Sequence, residues 1–280
     1  MFEKLLIDGI IKNALEEDLG WGDVTTASTI PEAAAIKGNF IAKAEGIVCG
    51  IDVCRRVFEI VDGSIEFQAF AGDGQRVSSG EILAVISGSA GSILKGERTA
   101  LNFFQRMSGI ATMTDRFVSR VSGLKARIVD TRKTAPGLRI LDKYSVRAGG
   151  GFNHRFNLSD MVLIKDNHIK AAGGITPAVE AAKRSLSHSV KVEVEVESIK
   201  ELMEAIDAGA DIVMLDNMSM DMMREAVSIA GGKVLLEASG NMALDGERNV
   251  RAVAETGVDI ISVGALTNSV EALDISLRFL

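Results

Sequence analysis

Apolar positions near the N-terminus recur at the spacing of a helix. Leu5, Ile10, Ile11 and Leu15 fall on one side of a helix that should end near Gly20. The sequence therefore predicts that the chain opens with an amphipathic helix.

Three short runs rich in strand-forming residues follow, and Gly, Asp and Ser separate them. They cover residues 36–42, 64–69 and 81–87 and predict short β-strands. Residues 93–121 then carry a long helical pattern that is interrupted at Ser108-Gly109. We interpret this helical region as the bridge between two structural units.

From residue 125 onwards, apolar β-branched runs alternate with helical stretches. The runs cover residues 126–129, 161–164, 192–196, 212–215, 234–236 and 258–263. This rhythm is typical of βα units and predicts an α/β fold class with a mostly parallel sheet. The last residues, 271–280, alternate apolar and polar positions and predict a half-exposed strand that returns to the N-terminal sheet. We therefore predict an N-terminal α+β domain of residues 1–108 plus 271–280, and a barrel domain of residues 109–270.

Polar side chains follow nearly every run of the second unit. They are Asp130-Thr131-Arg132-Lys133, Lys165-Asp166-Asn167, Asp216-Asn217, Glu237 with Ser239-Gly240, and Gly264. In an α/β barrel the active site is built at the carboxyl ends of the strands. One polar strand end is ordinary, but five predict a functional site.

Composition excludes several classes of protein. The chain has 280 residues, of which 47% are hydrophobic and 25% charged, which excludes a disordered chain. No apolar run approaches the ~20 residues of a membrane span, and the N-terminus lacks the pattern of a signal peptide. Cys49 and Cys54 are the only cysteines and fit neither a disulfide framework nor a zinc site, so we expect a cytoplasmic protein.

The distribution of charge points to a small anionic ligand. The net charge of −7 argues against a general nucleic-acid binder. Between Lys125 and Lys170, however, the sequence contains ten Lys and Arg residues and four Asp residues, a local net charge of +6. An acidic protein that concentrates cations in one stretch is expected to bind a strongly anionic small molecule there.

The run Val192 to Glu197 alternates valine and glutamate. Alone it suits an antiparallel edge strand with one wet face. Strands of a covered parallel sheet are nearly all apolar, so in this context the glutamates should point into the barrel, with one or two reaching a ligand. An unpaired buried carboxylate costs several kcal/mol, so cations, a metal or ligand hydroxyls should meet them.

Other strand-end residues have two interpretations each. Asp216 suits either an N-cap of the next helix or a ligand for Mg²⁺ or a sugar diol. A solvated helix face explains Arg139, Lys143 and Arg147 as well as function does. Arg132, Lys133 and Lys165 directly follow strands and suit anion binding, and His154 beside Arg155 adds further donors. Ser239-Gly240 and Gly264-Ala265 are small enough for backbone N–H groups to approach a phosphate at a helix N-terminus.

Residues 72–88 resemble the turn of lipoyl and biotinyl carrier domains. Those domains present a modifiable lysine, and no lysine occurs between Lys43 and Lys95. A hammerhead-like scaffold without the carrier function is the better interpretation.

Taken together, the motifs resemble the quinolinate phosphoribosyltransferases, the carboxylating nicotinate-nucleotide pyrophosphorylases. They are DTRKTAPGLR from Asp130, GGGFNHR from Gly149, VLIKDNHI from Val162, VEVEVES, MLDNM, LEASG and VGALTNS. The agreement runs in order over nearly the whole chain. It implies a two-domain enzyme with an open α/β barrel of six or seven strands.

The resemblance also implies a pentosyltransferase reaction of NAD biosynthesis. Quinolinate and phosphoribosyl pyrophosphate would give nicotinate mononucleotide, pyrophosphate and CO₂, with Mg²⁺. The family's working unit is a homodimer or a dimer-based hexamer, without nucleic acid or membrane.

Family roles can be carried over onto the matching residues. They place Arg132, His154, Arg155 and a neighbouring subunit's Arg98 around the quinolinate carboxylates. Lys133 and Lys165 face the substrate and pyrophosphate anions, and both count with Glu195 and Asp216 as catalytic. Glu195 and Asp216 match the carboxylates of the ribose and metal site, while Ser239, Gly240, Gly264 and Ala265 match the 5′-phosphate loops.

Three asparagines depart from the family pattern: Asn157, Asn241 and Asn268. Asn tolerates left-handed backbone better than most residues, so the first two need not break a turn.

Three other functions stay open from the sequence. A Schiff-base lyase would also present a strand-end lysine such as Lys165. A carrier or binding module would use the hammerhead-like turn and would show no turnover. A molybdenum-operon paralogue of the same superfamily is the third, although the intact IKDNH and PGLR motifs favour the quinolinate enzyme.

Overall fold

The computed structural model describes residues 4–246 and 248–280, which fall into two compact units. The first unit comprises residues up to 115 together with 135–150 and 270–280. The second comprises residues 116–134 and 151–269.

Among the described residues, the first unit contains two antiparallel sheets, of four and two strands, and five helices. Its strands are β1 (Ala35–Ala42), β2 (Gly46–Ile47), β3 (Glu66–Ala69), β4 (Arg76–Val77), β5 (Ile82–Ser89) and β12 (Ile275–Phe279). Its helices are α1 (Lys4–Leu19), α2 (Val24–Thr29), α3 (Ile51–Val61), α4 (Ala90–Arg120), which continues into the second unit, and α5 (Arg139–Ala148).

The main sheet of this unit has the strand order β12-β1-β5-β3. The C-terminal strand pairs antiparallel with β1, with Phe40 opposite Leu277, as its alternating pattern predicts. Phe40 and Phe58 are almost fully buried, with ring centroids 6.0 Å apart, and Phe67 and Phe104 pack on Phe40. Burial of these aromatic side chains is a main source of stability in the unit.

Helix α4 runs without a break through the Ser108-Gly109 pair that interrupts its sequence pattern. The Ser108 hydroxyl donates to the Cys49 carbonyl and accepts from the Cys49 N–H, so it satisfies two buried backbone groups. A Cβ on Gly109 would lie 2.1 Å from the Glu271 carbonyl oxygen. These residues therefore mark a tight approach of neighbouring chain segments rather than a break in the helix.

The second unit alternates strands and helices. Its strands are β6 (Arg127–Val129), β7 (Val162–Ile164), β8 (Val192–Val196), β9 (Ile212–Asp216), β10 (Leu235–Ser239) and β11 (Ile260–Ser262). Its helices are α6 (Asp166–Ala172), α7 (Ile175–Ser185), α8 (Ile199–Asp207), α9 (Met220–Ala230), α10 (Val250–Glu255) and α11 (Ala265–Asn268).

All six strands of this unit pair in parallel, in the order β6-β11-β10-β9-β8-β7. β6, the first of these strands in the chain, pairs with β11, the last. Among the described residues, no pairing between β6 and β7 closes the barrel. An isolated parallel bridge from Val129 to Phe152 extends the β6 edge. The α/β fold class and the open six-stranded barrel are thus confirmed, and the edge-strand interpretation of β8 is wrong because β8 lies between β7 and β9.

Residues 135–150 pack with the first unit, whereas the predicted barrel domain includes them within residues 109–270. Asp142 on α5 is fully buried and receives two hydrogen bonds from the Arg106 guanidinium, at 3.0 and 2.9 Å. Lys143 is only 3% exposed, so the solvated-face interpretation is wrong for that residue. A buried bidentate ion pair fixes α5 against α4 within this unit.

Two further findings bear on the expectations from composition. Within the described residues, no helix combines the length and apolar character needed to cross a membrane. Cys49 and Cys54 are both free thiols and both buried.

We predict that Gly109→Ala lowers the free energy of unfolding by about 1–3 kcal/mol, because the added Cβ overlaps the Glu271 carbonyl. The matched control is Gly9→Ala on α1, where a Cβ meets nothing within 4 Å and alanine should stabilise by about 0.5–1 kcal/mol. Urea unfolding of both variants measures the difference. Equal stabilisation by the two substitutions would contradict the close approach at Gly109.

Candidate active site

A cavity of about 910 Å³ lies at the carboxyl ends of the parallel strands. Residues within or just after the carboxyl-terminal halves of β6, β7, β8, β9, β10 and β11 all contribute to its wall. Among the predicted site residues it is lined by Arg132, Lys133, His154, Arg155, Lys165, Glu195, Asp216, Ser239, Gly240, Gly264 and Ala265. The structure thus brings together eleven of the twelve residues selected from the sequence.

The exception is Arg98. It lies on α4 in the part of that helix that belongs to the first unit, and its side chain is exposed. The cavity is lined by residues of the second unit.

Buried Asp130 organises the segment that carries His154 and Arg155. Its carboxylate accepts hydrogen bonds from the His154 backbone N–H at 2.8 Å and from the Asn153 amide at 2.6 Å. The adjoining Phe152 forms the parallel bridge to Val129. Asp130 therefore fixes the segment beside the end of β6.

Two guanidinium groups share one side of the cavity. Arg155 is 9% exposed and donates one hydrogen bond to the Met161 carbonyl at 3.2 Å. Burial lowers the pKa of Arg155, and the positive charge of Arg132 lowers it further. Two cations that repel each other in a partly buried site strongly favour the binding of an anion.

Lys133 is held in place by its backbone. Its N–H donates to the Thr131 hydroxyl at 3.0 Å, and its carbonyl accepts from the Thr267 hydroxyl at 2.8 Å. These bonds join the end of β6 to α11. The Lys133 side chain lies along the cavity wall, and its Cδ is about 3.3 Å from the position that a Cβ on Gly264 would occupy.

His154 lies against two buried carboxylates at the base of the cavity. Its Nε2 is 3.1 Å from an oxygen of Glu193 and 3.4 Å from an oxygen of Glu237. Glu193 is 0% and Glu237 1% exposed, and three of their four oxygens have no well-aligned hydrogen-bond partner among the described residues. Two carboxylates that are buried in this way need a compensating positive charge or proton.

The three groups together retain a proton. Burial alone would lower the pKa of His154, but the hydrogen bonds and charges of Glu193 and Glu237 outweigh it and raise that pKa to about 10. Burial and then the charge of Glu237 raise the pKa of Glu193. The Arg155 N–H donates to His154 Nδ1 at 2.8 Å, which opposes protonation of that nitrogen. The carboxylates favour protonation of His154, whereas the N–H donor at Nδ1 opposes it, so the extra proton lies on His154 or on Glu193. In both cases the proton stays within the cluster.

This cluster also has the spacing of a metal site, since its three ligand atoms lie within 4.8 Å of one another. A histidine that binds a metal through Nε2 donates its other N–H to an acceptor. Here His154 Nδ1 faces a donor, the Arg155 N–H, so the imidazole proton belongs on Nε2. The arrangement fits a proton-sharing cluster and does not fit a metal.

Lys165 and Glu195 form an ion pair across the ends of β7 and β8, joining the Lys165 ammonium to one Glu195 oxygen. Of the three glutamates of the valine–glutamate run, Glu193, Glu195 and Glu197, only Glu195 lines the cavity. Glu193 lies beneath it, and Glu197 is exposed beyond the strand.

Asp216 ends β9 and lines the cavity. Its carboxylate accepts a hydrogen bond from the Asn217 amide at 2.9 Å. Helix α9 is capped by Ser219, whose hydroxyl accepts from the Met222 N–H at 3.2 Å. The N-cap interpretation of Asp216 is therefore wrong, and its carboxylate faces the cavity.

Two loops present backbone donors to the cavity. Among the described residues, the N–H groups of Gly240, Asn241 and Gly264 donate to no protein acceptor. Asn241 has a positive φ of 48°, so it adopts the left-handed conformation expected for this departure, whereas Asn157 does not. The helix-terminus interpretation is wrong for Ser239-Gly240, because α10 begins only at Val250. The donors there come from a loop.

The sequence analysis named Asp130, Glu237 and Asn217 only as polar strand ends and Glu193 only as one of three inward glutamates, and it assigned none of them a role in the site. The position of Glu193 on the valine–glutamate strand indicated an inward carboxylate, and Glu237 was noted only as a polar strand end. Their meeting with His154 depends on the pairing of strands that are distant in the chain.

Comparison with known proteins gives consistent matches. A family model described as the C-terminal domain of quinolinate phosphoribosyl transferase matches residues 110–278, and its N-terminal counterpart matches residues 23–108. The chain is 42% identical to the probable carboxylating nicotinate-nucleotide pyrophosphorylase of Synechocystis, covering 98% of this chain and 92% of the relative. The corresponding protein of Bacillus subtilis is also 42% identical, covering 98% and 93%.

Solved structures agree with these matches. The nicotinate-nucleotide pyrophosphorylase from Francisella tularensis has a TM-score of 0.94 and 44% identity, with 100% of this chain and 98% of that chain covered. The NadC structure from Streptococcus pyogenes has a TM-score of 0.93 and 39% identity, covering 100% and 99%.

We predict that the cluster makes stability depend on pH. Because its folded-state pKa is raised, the folded chain holds a proton that the unfolded chain releases above about pH 6.5. Its stabilising contribution is present below that pH and is lost as the pH rises through about 10, by at most about 1.4 kcal/mol per pH unit.

Glu237→Gln should flatten this dependence, since one of the two carboxylates that hold the proton is removed. Urea unfolding at about pH 6.5 and about pH 9 measures it, and comparison with wild type cancels the titration of other groups. Asp221→Asn, at an exposed ion pair on α9, is the matched control and should keep the wild-type slope. A wild-type slope in Glu237→Gln would mean that the cluster does not hold the proton.

Proposed function

This chain belongs to the quinolinate phosphoribosyltransferase family, and we propose that its barrel cavity transfers phosphoribosyl from phosphoribosyl pyrophosphate to quinolinate. The products are nicotinate mononucleotide, pyrophosphate and CO₂, as in the biosynthesis of NAD. The observation that carries the proposal is the set of groups that meet in one cavity. It contains the guanidinium groups of Arg132 and Arg155, the carboxylates of Glu195 and Asp216, and backbone N–H groups that have no protein acceptor among the described residues.

Quinolinate is a planar dicarboxylate, and Arg132 and Arg155 fit it. Their planar donor sets can each pair with a carboxylate through two hydrogen bonds. Binding the dianion would relieve the repulsion between the two guanidinium groups. Both ring nitrogens of His154 contact protein groups. In this proposal His154 therefore positions Arg155, because its Nδ1 accepts a hydrogen bond from the backbone N–H of Arg155.

The phosphoribosyl group fits the loops that follow β10 and β11. The free N–H groups of Gly240, Asn241 and Gly264 supply the donors that a 5′-phosphate needs. Asp216, at the adjacent end of β9, can accept hydrogen bonds from ribose hydroxyls. Strands β9 and β10 are paired with Asp216 opposite Ser239, so sugar and phosphate contacts come from neighbouring strand ends.

The transition state at the anomeric carbon is oxocarbenium-like and positively charged. Glu195 and Asp216 are carboxylates that are already in place, and preorganised negative charge stabilises a developing positive charge most effectively. Lys165 neutralises Glu195 in the present structure and can turn to the leaving pyrophosphate together with Lys133.

Oxygen donors at the ends of β8 and β9 also fit Mg²⁺. This ion is usually held by one or two carboxylates plus substrate phosphates, and Glu195 and Asp216 would be those carboxylates. Bound there, the ion would neutralise charge on the leaving pyrophosphate.

Loss of CO₂ follows formation of the N-glycosidic bond. The bond from the pyridine ring to the 2-carboxylate breaks, its electron pair stays at ring carbon 2 beside the positively charged nitrogen, and a proton then replaces CO₂. The protein needs only to hold the ring and its remaining carboxylate, and no covalent enzyme intermediate is required. The ion pair of Lys165 with Glu195 disfavours the Schiff-base alternative, because an ion-paired ammonium is not a nucleophile.

The proposal includes a homodimer, or a hexamer built from dimers, in which a second subunit's Arg98 completes the quinolinate site. Support comes from the exposure of Arg98 and from the family to which the chain belongs. A cytoplasmic location is proposed from the two free thiols, which suit a reducing compartment.

The reaction is tested with purified protein, Mg²⁺, phosphoribosyl pyrophosphate and quinolinate labelled in its 2-carboxylate. We expect labelled CO₂ and nicotinate mononucleotide, no product from nicotinate, and loss of activity with a chelator. Arg132→Ala should lower kcat/KM for quinolinate on the order of 100-fold, because a charge-assisted pair is lost.

The matched control for that variant is Arg184→Ala on α7, which should leave activity unchanged because the Arg184 guanidinium is exposed and pairs with Glu180. Turnover of nicotinate without CO₂ would contradict the decarboxylating reaction. Equal activity of Arg132→Ala and wild type would contradict the proposed quinolinate site.

The shared site is tested by mixing two inactive variants, Arg98→Ala and Lys133→Ala. If Arg98 acts across the interface, mixed dimers contain one intact site, and activity should be partly restored after subunit exchange. Mixtures that remain as inactive as either variant alone, although exchange is verified by differently tagged subunits, would show that Arg98 does not act in a second subunit's site.

A further inference from the structure

Asn217 has an unusual backbone conformation at the edge of the cavity. It follows Asp216 at the end of β9 and has a φ of 52°. Within the described ranges, it and Asn241 are the two non-glycine residues in the left-handed region. That conformation costs roughly 1–2 kcal/mol for most residues with a side chain, less for asparagine, and glycine avoids the cost.

The side chain of Asn217 contacts two parts of the site at once. Its Nδ2 donates to the Asp216 carboxylate at 2.9 Å. Its Oδ1 occupies the space beside Gly240, where an added Cβ would lie only 2.1 Å away. Its backbone N–H donates to the Ser239 carbonyl at 3.2 Å, which ties the turn to the end of β10.

A turn or capping role does not account for these contacts. Ser219 caps α9, so Asn217 is not the cap. A glycine would form the same turn without strain, but it would leave the Asp216 carboxylate without this donor and the space beside Gly240 empty.

We propose that Asn217 is a positioning residue for the phosphoribosyl group, because its carboxamide ties the Asp216 carboxylate to the Ser239–Gly240 loop. The carboxylate that receives the ribose and the loop that receives the 5′-phosphate are then set at a fixed separation by one side chain. This inference rests on the proposed function, since it assigns these two subsites to phosphoribosyl pyrophosphate.

Two substitutions test the role. Asn217→Gly keeps the backbone conformation and removes the carboxamide, and it should raise KM for phosphoribosyl pyrophosphate about tenfold. Asn217→Asp keeps the shape but places a second carboxylate beside Asp216, and it should raise that KM further. KM for quinolinate should stay within about twofold of wild type in both variants, since Arg132 and Arg155 do not contact Asn217 in the proposed site.

The control is Asn157→Gly. Asn157 lies in an exposed loop, and its carboxamide oxygen accepts hydrogen bonds from the N–H and hydroxyl of Ser159 in its own turn. This variant should leave both KM values unchanged. The melting temperature of each protein without ligand shows whether a change in KM reflects loss of folded structure.

A double-mutant cycle tests the contact with Gly240 directly. Gly240 has a φ of 95°, so Gly240→Ala is strained in any background, and that strain cancels in the cycle. The overlap with Oδ1 exists only when Asn217 is present. Gly240→Ala should therefore raise KM for phosphoribosyl pyrophosphate less in the Asn217→Gly background than in wild type.

The outcomes separate this inference from the proposed function. Absence of phosphoribosyl transfer by the wild-type protein would overturn both. With an active wild type, an unchanged KM for phosphoribosyl pyrophosphate in Asn217→Gly would overturn the positioning role alone. An equal rise in both KM values, together with a lower melting temperature, would assign Asn217 a purely structural role and would also overturn it.

Discussion

Parallel pairing of six strands brings their carboxyl ends to one edge of the sheet, and there the chain collects charges that it must compensate. Glu193 and Glu237 are buried beside His154, and Glu195 is paired with Lys165. The positive charge of Arg132 lowers the pKa of Arg155. Burial makes each uncompensated charge cost several kcal/mol. The site therefore depends on balancing these groups against one another and against anionic substrates.

The same constraint explains the different roles of the charged groups within the cavity. Glu193 and Glu237 lie at its base beside His154, whereas Glu195 and Asp216 line its wall and are the carboxylates proposed to contact the ribose. The two guanidinium groups repel each other, and in the proposed function the quinolinate dianion would offset this repulsion. Backbone N–H groups of two loops carry partial positive charge without side-chain entropy, which suits a phosphate that must be held in one place.

Much of this arrangement could be predicted from the sequence. The six strands were recognisable because covered parallel strands are continuous apolar runs, and the valine–glutamate alternation of β8 stood out against them. Strand-end positions then selected eight of the predicted residues that line the cavity. Glu195 was selected from that alternation, and His154 and Arg155 from the basic stretch after Gly149–Gly151. The identity of the anions came from motif resemblance, since charge alone does not distinguish one polyanion from another.

The remainder depends on contacts that local pattern does not encode. The packing of 135–150 with the first unit rests on the buried pair of Arg106 and Asp142, and α4 continues through Gly109 because another segment approaches there. The cluster around His154 and the bridge made by Asn217 depend on which strands are neighbours. The helix-terminus interpretation of Ser239-Gly240 failed because the loop before α10 is longer than the spacing suggested.

The most direct test of the account is a crystal structure with quinolinate and a non-reactive analogue of phosphoribosyl pyrophosphate bound together. The account predicts the dicarboxylate between Arg132 and Arg155, and the 5′-phosphate on the N–H groups of Gly240, Asn241 and Gly264. A phosphate on the two guanidinium groups, or quinolinate outside the barrel cavity, would contradict it.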